Sequence, residues 1–300
     1  MKSPIVLFVY NRPGHTRLTV DALKKNPESS DSDLIIFSDA PKSARDEASV
    51  LNVRNYLREV DGFKSVRIVE RAQNFGLSKS IREGVTEILG QYETVIVLED
   101  DLITSPSFLG YMNTALDLYA TTEEVISIHA YSYPTKKKLP ETFFLRGADC
   151  WGWATWRRGW ALFETDGAKL LNEIRTRNEV ARFNFNNSYP YTSMLEEQIA
   201  GRNSSWAILW YASAFVKNKL TLYPGRSLVH NLGNDSSGTH SKATNVYDVD
   251  VSDVVIDVVG SKPPLKDNQA AVEIFAGFFA NDQSGVDTLK KLAKKILKWT

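Results

Sequence analysis

Short apolar runs alternate with helix-period stretches over residues 1–130, and this alternation constrains the fold more than any other feature of the chain. The runs are rich in β-branched residues, as strands covered on both faces are. Between them, apolar residues recur three and four positions apart, which indicates helices. The predicted strands are residues 5–10, 34–37, 66–69, 94–98 and 125–128. Repeated strand–helix units predict a largely parallel sheet with helices on both faces.

Three consecutive carboxylates, Glu99, Asp100 and Asp101, follow directly after the fourth predicted strand. In α/β sheets, ligands bind just beyond the carboxyl ends of the strands. Oxygen ligands suit Mg²⁺ or Mn²⁺, and such an ion usually binds through one or two carboxylates together with substrate phosphates. The alternative is that an acid, with Ser105 or Ser107, caps the next helix. Because capping needs one acid rather than three, we expect a divalent-cation site here.

The composition describes a globular chain with no net charge. Of 300 residues, 43% are hydrophobic, and 36 basic residues balance 36 acidic ones. A zero net charge removes the basic footprint expected of a general nucleic-acid binder. The single cysteine, Cys150, excludes an intrachain disulfide and favours a reducing compartment. With no secretory-type leader and no apolar stretch long enough to span a bilayer, we expect a cytoplasmic protein.

From about residue 131 the chain becomes richer in polar and proline-containing linkers, and most of the seven tryptophans lie there. Indole rings suit sugars, since each ring has an apolar face and an N–H donor. Trp151, Trp153 and Trp206 are therefore candidates for a sugar or acceptor platform, with core packing as the alternative for each ring. Gly152, between two tryptophans, indicates a close backbone approach or special dihedral angles.

Residues 289–299 place five lysines opposite an apolar helical face, with Trp299 near the border between them. This pattern is typical of a helix that lies in a membrane interface and is attracted to anionic lipid. The alternative is a surface helix docked on its own domain.

Four motifs at predicted strand ends or helix starts occur in a familiar order. They are Tyr10-Asn11-Arg12-Pro13, Phe37-Ser38-Asp39, Asn74-Phe75-Gly76-Leu77 and Val97-Leu98-Glu99-Asp100-Asp101. In this order they resemble the GT-A nucleotide-sugar glycosyltransferases, and more narrowly the N-acetylglucosaminyltransferase-I-like group, whose metal motif is Glu-Asp-Asp. The resemblance covers roughly the first 160 residues of the chain. It implies an α/β, GT-A-like (Rossmann-like), mostly parallel sheet, followed by a C-terminal acceptor-side region and a terminal amphipathic helix.

The resemblance also implies how the chain is divided. Residues 1–130 would form the nucleotide-sugar-binding α/β half. Residues 131–260 would form the acceptor-side half of the same catalytic domain, and residues 261–300 a C-terminal helical tail.

The resemblance implies roles for the motif residues. Asp101 would be the direct ligand of Mn²⁺ or Mg²⁺, with Glu99 and Asp100 oriented toward the ribose and the metal-bound waters. The other residues implied in donor binding are Tyr10, Asn11, Arg12, Asp39, Asn74 and Gly76. A carboxylate such as Asp39 can accept a base N–H, and an arginine beside phosphates donates charge-assisted hydrogen bonds. Taken alone, Arg12 is equally compatible with a turn arginine that points into solvent.

The family is inverting, which implies one carboxylate acting as base toward the acceptor hydroxyl. Where the Golgi N-acetylglucosaminyltransferase has Asp-Asp-Trp, the nearest match here is Ser204-Ser205-Trp206, which has no acid. Glu197 and Glu196, on a predicted helix just upstream, are the first candidates, and Asp149 is the third. A solvated helix face is the alternative for either glutamate.

His230 and His240 lie in a stretch rich in glycine and hydroxyl residues. Some GT-A enzymes use a late histidine on the metal or diphosphate, which favours His240 as a further metal ligand. Backbone amides of such a loop can also close over phosphate. A loop histidine without a role is the alternative.

The predicted function is a metal-dependent hexosyl- or N-acetylhexosaminyltransferase that uses a nucleotide-sugar donor, with UDP as the favoured nucleotide. The acceptor would be a glycan or a lipid-linked sugar at the inner face of the plasma membrane, in surface polysaccharide biosynthesis. Two alternatives stay open. A nucleotidyltransferase would normally show a glycine-rich basic loop after the first strand, and a non-catalytic carbohydrate-binding protein would explain the missing acid near Trp206.

Overall fold

The structure is a computed structural model that describes residues 2–234, 244–251 and 254–281. Its strands are β1 (Ile5–Val9), β2 (Asp33–Ser38), β3 (Ser65–Glu70), β4 (Thr94–Glu99), β5 (Leu102–Thr104), β6 (Val125–His129), β7 (Thr142–Arg146), β8 (Trp153–Trp156), β9 (Leu220–Pro224) and β10 (Val229–Asn231). Its helices are α1 (Pro13–Lys24), α2 (Glu47–Leu57), α3 (Gly76–Leu89), α4 (Phe108–Leu118), α5 (Arg157–Trp160), α6 (Gly167–Thr176), α7 (Val180–Phe183), α8 (Tyr191–Ile199), α9 (Trp206–Val216) and α10 (Gln269–Asn281). The five strands predicted from sequence are β1, β2, β3, β4 and β6.

Eight strands form one mixed sheet in the order β3-β2-β1-β4-β8-β6-β9-β7. Strands β3, β2, β1 and β4 are parallel to one another. Strand β8 runs antiparallel to both of its neighbours, β4 and β6, and β7 runs antiparallel to β9. The architecture is therefore the predicted α/β sheet with helices on both faces, although only its first half is wholly parallel.

The first half of the sheet is buried on both faces because its strands alternate between two apolar clusters. In β1, Ile5 and Leu7 pack beneath α1, α2 and α4, whereas Val6 and Phe8 pack beneath α3. Each fully buried side chain of this size contributes about 1.5–3 kcal/mol relative to leaving it exposed. Helix α3 can approach the sheet closely because Gly84 has no side chain. A Cβ there would lie 2.8 Å from the Phe8 ring.

Strand β8 brings the second half of the chain to the carboxyl end of β4. Its antiparallel register pairs Trp153 with Val97 and with His129. Residues that precede Trp153 therefore lie beside residues that follow Val97. The same edge of the sheet holds the ends of β1, β2, β4 and β6 and the start of β8.

Helices α9 and α10 pack against the second half of the sheet, and α6 and α8 pack on α9. Helix α9 is buried along almost its whole length, and the Ser205 hydroxyl caps it by accepting a hydrogen bond from the Ile208 amide at 3.3 Å. In α10, Phe275 and Phe279 pack into the core beside α9 and β7. The predicted tail thus begins as a packed helix. The division of the chain into three parts stays a prediction.

Within the described residues, no helix has both the length and the apolar character needed to cross a membrane. His240 and residues 289–299 lie outside the described residues, so the roles predicted for them stay predictions.

Candidate active site

The three acids at the end of β4 form the most charged part of the sheet edge. Burial, together with the charges of Asp101 and Asp100, raises the pKa of Glu99 to about 8. Burial also raises the pKa of Asp100 to about 6, although the Arg12 charge opposes this shift. The N-cap residue of α4, Ser107, makes no side-chain capping hydrogen bond, and no acid lies in the first turn of that helix, so the capping alternative does not account for this cluster.

Arg12 supplies a cation to this cluster in the structure. Its Nη2 atom donates to Asp101 Oδ2 at 2.9 Å and also to Asp100 Oδ1. Although burial works against it, these two carboxylates raise the pKa of Arg12. The turn alternative, with Arg12 pointing into solvent, is therefore wrong. The Arg12 Nη1 atom is buried and has no hydrogen-bond partner among the described residues, which leaves one donor for a ligand.

The donor set fits a divalent ion that is completed by substrate. In the described part of the chain, no three His, Cys, Asp or Glu side chains are arranged to hold a metal by themselves. Asp100 and Asp101 nevertheless converge on one cationic group, Arg12. Mg²⁺ and Mn²⁺ sites of nucleotide enzymes typically use one or two carboxylates plus phosphate and water. The residues present therefore fit such an ion when a diphosphate accompanies it.

Gly233 is a part of this site that sequence reasoning missed. The amide of Leu232 donates to the Asp101 carbonyl at 2.8 Å, and β10 pairs with β5 just after the acid cluster. A Cβ at Gly233 would overlap Asp101 Oδ2. The backbone at residue 233 thus lies directly against the carboxylate predicted to bind the ion.

Asp39 and Asn74 join two of the predicted motifs. The Asp39 carboxylate accepts hydrogen bonds from the amides of Ala40, Phe75 and Gly76 at 2.8–2.9 Å. Asn74 Nδ2 donates to the Ala40 carbonyl at 2.7 Å. Asp39 therefore fixes the start of α3, where a carboxylate is favourable. Its predicted contact with a nucleotide base stays a prediction.

Tyr10 and Asn11 organise the loop opposite Asp39. The Tyr10 hydroxyl accepts a hydrogen bond from the Lys42 amide at 3.0 Å, and Asn11 Nδ2 donates to Asp46 Oδ1 at 2.9 Å. These contacts link the end of β1 to the segment after β2. The structure thus brings the first three motifs together around one corner of the sheet edge.

Two of the predicted sugar platforms are core residues. Trp153 and Trp206 are 1% and 3% exposed, and their rings pack together with centroids 5.4 Å apart. The platform prediction is wrong for both rings, because a buried indole has no face to offer a sugar. Trp151 is half-buried, 4.7 Å from Tyr131 and 5.8 Å from Tyr247 between ring centroids. Its role as a sugar or acceptor platform stays a prediction.

Gly152 behaves as its position between two tryptophans indicated. Its φ of +67° lies in the left-handed region, where glycine is favoured. A Cβ there would also lie 3.0 Å from Val229 Cγ1. This turn directs Trp151 and Trp153 to different environments, one at the rim and one in the core.

Among the three base candidates, the structure brings Asp149 toward the acids of β4. Asp149 and Cys150 precede Trp153, and the register therefore places them near the Glu99–Asp101 end of β4. Burial first, and then the charges of Asp149, Glu99 and Asp101, raise the pKa of the Cys150 thiol. The charges of Asp149 and of the β4 acids thus both act on Cys150. The Asp149 side chain is 25% exposed, so a ligand can reach it.

Glu196 and Glu197 have no such connection. Glu196 pairs with Arg175 at 2.6 Å across the surface between α6 and α8. Among the described residues, no hydrogen bond or ion pair joins Glu196 or Glu197 to the acids of β4. Helix α8 packs against α6, α7 and α9 rather than against the sheet edge. The solvated-face alternative suits both glutamates better than the role of base.

Comparisons with known proteins place the chain in a family. Residues 5–174 match the family described as glycosyl transferase family 2, and this match spans more than half of the chain. The chain belongs to glycosyl transferase family 2. The narrower N-acetylglucosaminyltransferase-I-like resemblance is not confirmed by this match, which favours a glycosyltransferase over the nucleotidyltransferase alternative. No curated protein matches the chain.

Several solved structures are similar at 12% sequence identity. S. aureus TarS has a TM-score of 0.34, over 50% of this chain and 25% of that one. Mannosyltransferase PcManGT from Pyrobaculum calidifontis, in complex with GDP-Man and Mn²⁺, has a TM-score of 0.41, and the match covers 73% of this chain and 70% of the mannosyltransferase. Mycobacterium tuberculosis glucosyl-3-phosphoglycerate synthase, in complex with Mn²⁺, UDP and phosphoglyceric acid, has a TM-score of 0.32. The match covers 54% of this chain and 57% of the synthase. The chain thus spans a quarter of TarS and less than two thirds of the synthase.

Proposed function

We propose that the protein transfers a sugar from a UDP-linked donor to a hydroxyl group of a glycan or lipid-linked sugar, with inversion at the anomeric carbon. One observation carries this proposal: Asp149, a partly exposed carboxylate, lies at the same sheet edge as the paired carboxylates Asp100 and Asp101. An ion site beside a separate base is what such a transfer needs.

The donor half of the site holds the nucleoside diphosphate. Asp101 is the proposed ligand of Mn²⁺ or Mg²⁺, with Asp100 beside it. Bound there, the ion would stabilise the negative charge that develops on the leaving diphosphate. Arg12 lies against both carboxylates, and its Nη1 has no partner among the described residues, so it can donate a charge-assisted hydrogen bond to a phosphate oxygen.

The acceptor half of the site activates the attacking hydroxyl. Asp149 takes the proton of the acceptor hydroxyl while its oxygen bonds to the anomeric carbon. The bond from that carbon to the diphosphate oxygen breaks, and its electron pair leaves with the nucleotide. Trp151 offers a half-buried indole beside Asp149, which suits the apolar face of an acceptor sugar.

The test is isothermal titration of the wild-type protein with UDP, GDP and CMP, each with and without Mn²⁺. The proposal expects UDP to bind, and to bind tightly only with the ion. Tighter binding of GDP would retain the transferase but change its donor. No nucleotide binding under any condition would overturn the transferase and favour a carbohydrate-binding protein on a transferase fold.

A peripheral membrane contact through residues 289–299 forms a separate part of the proposal. It rests on the five lysines and the apolar face of that segment. Co-sedimentation with vesicles containing anionic phosphatidylglycerol tests it, with vesicles of neutral phosphatidylcholine as control. A variant lacking residues 289–300 should remain in the supernatant, and equal sedimentation of the two proteins would contradict the contact.

A further inference from the structure

His129, the last residue of β6, is the most anomalous buried polar group near the site. The residue is 0% exposed, and within the described part of the chain neither Nδ1 nor Nε2 has a hydrogen-bond partner. Its backbone, by contrast, is paired: His129 lies opposite Trp153 in the β6–β8 ladder, and its carbonyl accepts a hydrogen bond from the Tyr111 hydroxyl at 3.1 Å. Buried polar groups are almost always satisfied, and an exception at the edge of an active site calls for a functional explanation.

The imidazole faces the proposed base. His129 Nε2 lies 3.6 Å from Asp149 Oδ2, and the Tyr223 hydroxyl lies 3.5 Å from the same oxygen. The His129 and Tyr223 rings are in contact, with centroids 4.9 Å apart. The other oxygen, Oδ1, accepts the Cys150 amide at 2.8 Å. One oxygen of Asp149 is thus held by the backbone. The other accepts a long hydrogen bond from the Tyr223 hydroxyl and faces His129 Nε2 just beyond hydrogen-bonding distance.

The burial of His129 fixes what it can do. Desolvation lowers its pKa, an effect that Asp149 only partly offsets, so the imidazole is neutral at physiological pH. A neutral imidazole carries one N–H, and the Nε2–H tautomer directs it at Asp149. Catalytic hydrogen bonds are often long in ligand-free structures and shorten when the substrate binds.

We propose that His129 is the positioning residue for Asp149: its Nε2–H, together with the Tyr223 hydroxyl, holds Oδ2 and thereby fixes the plane of the carboxylate toward the acceptor hydroxyl. This inference rests on the proposed role of Asp149 as base. In the transfer step the proton moves from the acceptor oxygen to Asp149, and His129 stays neutral throughout. A donor to Oδ2 also stabilises the carboxylate in the state that can accept this proton.

The experiment compares His129→Gln, which keeps a donor near the Nε2 position, with His129→Met, which fills similar space without a donor. Turnover is measured as UDP release in the presence of Mn²⁺, with water as acceptor, from UDP-glucose, UDP-galactose and UDP-N-acetylglucosamine. We expect His129→Met to lower kcat about tenfold or more, with the donor KM unchanged. His129→Gln should stay within about threefold of wild type.

A second measurement separates positioning from packing. If His129 acts only through Asp149, His129→Met should have little further effect in the Asp149→Asn background. A packing role would instead lower kcat in both backgrounds. Equal losses in His129→Gln and His129→Met would also overturn the inference. If His129→Met does not fold, Tyr223→Phe replaces it as the variant that removes a donor to the same oxygen.

The outcomes also separate this inference from the proposed function. If Asp149→Asn is inactive while His129→Met has wild-type kcat, the positioning role is wrong and the base assignment stands. If Asp149→Asn has wild-type kcat, the base assignment fails, and the role of His129 fails with it.

Discussion

The proposed donor half and the proposed acceptor half of the site are built in different ways. Around the donor, Arg12, Asp39 and Asp101 each follow a strand of one parallel array, within short motifs. Around the acceptor, His129, Asp149 and Tyr223 come from three separate segments, brought together by the antiparallel insertion of β8 beside β6 and by the pairing of β9 with β6. A site made of short local motifs can be recognised in the sequence. A site assembled by the order of strands in the sheet has no comparable sequence signature.

The largest expected effect falls on turnover in the acceptor half. Asp149→Asn should lower kcat for UDP release by about 10²–10⁴-fold, because it removes the proposed general base. Steady-state UDP release from a UDP-sugar with Mn²⁺ measures this loss. Glu197→Gln is the matched control and should keep kcat near wild type. A large loss of kcat in Glu197→Gln with wild-type kcat in Asp149→Asn would instead identify a base on α8, and the proposed acceptor half would then lie elsewhere.

Tryptophan substitutions should divide the acceptor half into rim and core. Trp206→Ala should lower the free energy of unfolding by about 3–5 kcal/mol, since it empties a buried site. Trp151→Ala should cost much less stability and raise the acceptor KM. Urea unfolding and acceptor-dependent kinetics measure the two effects. Equal destabilisation by both substitutions would show that Trp151 is also core.

A glycine pair tests the packing that positions the donor half. Gly84→Ala should lower the free energy of unfolding by about 1–3 kcal/mol, because its Cβ would collide with the Phe8 ring. Gly14→Ala is the control, since no atom lies within 4 Å of a Cβ there. Thermal and urea unfolding compare the two. A neutral Gly84→Ala would mean that α3 can shift away from β1 without loss.

The smallest expected effect is an acid sensitivity of the folded state that comes from an ion pair between Arg146 of β7 and Glu179, the residue before α7. A hydrogen bond from Arg146 lowers the pKa of Glu179, although burial opposes this shift. The contribution to stability is therefore present above the ordinary glutamate pKa of about 4.3 and is lost as the pH falls through the lowered folded value. The stability difference between wild type and Glu179→Gln should shrink between pH 6 and pH 3. A constant difference would contradict the role of this ion pair.

The sequence predicted where the motif residues of the proposed donor half lie, because each motif there combines a strand and its end. The run before Glu99 is rich in β-branched residues and is buried, and the three acids that follow cannot be part of an apolar core. Asp39 shows the limit of this reasoning. The sequence marks Asp39 as a carboxylate at the end of a strand. Its hydrogen bonds with the amides of Phe75 and Gly76, however, depend on where α3 starts relative to β2.

The acceptor half could not be predicted in the same way. Nothing local distinguishes Trp151 from Trp153, because the φ of Gly152 sends one ring to the rim and the other to the core. Glu197 is a candidate base by its nearness in sequence to Trp206, yet Trp206 is a core residue. His129 ends an ordinary strand, and only the pairing of β6 with β8 places it beside Asp149.

The most direct test of the division between donor and acceptor halves is a Mn²⁺-dependent UDP titration of Asp101→Asn and Asp149→Asn beside wild type. We predict that Asp149→Asn binds UDP with wild-type affinity, while Asp101→Asn loses the ion-dependent part of the binding. Unchanged Mn²⁺-dependent binding by Asp101→Asn would contradict the ion site at the end of β4, and with it the central claim.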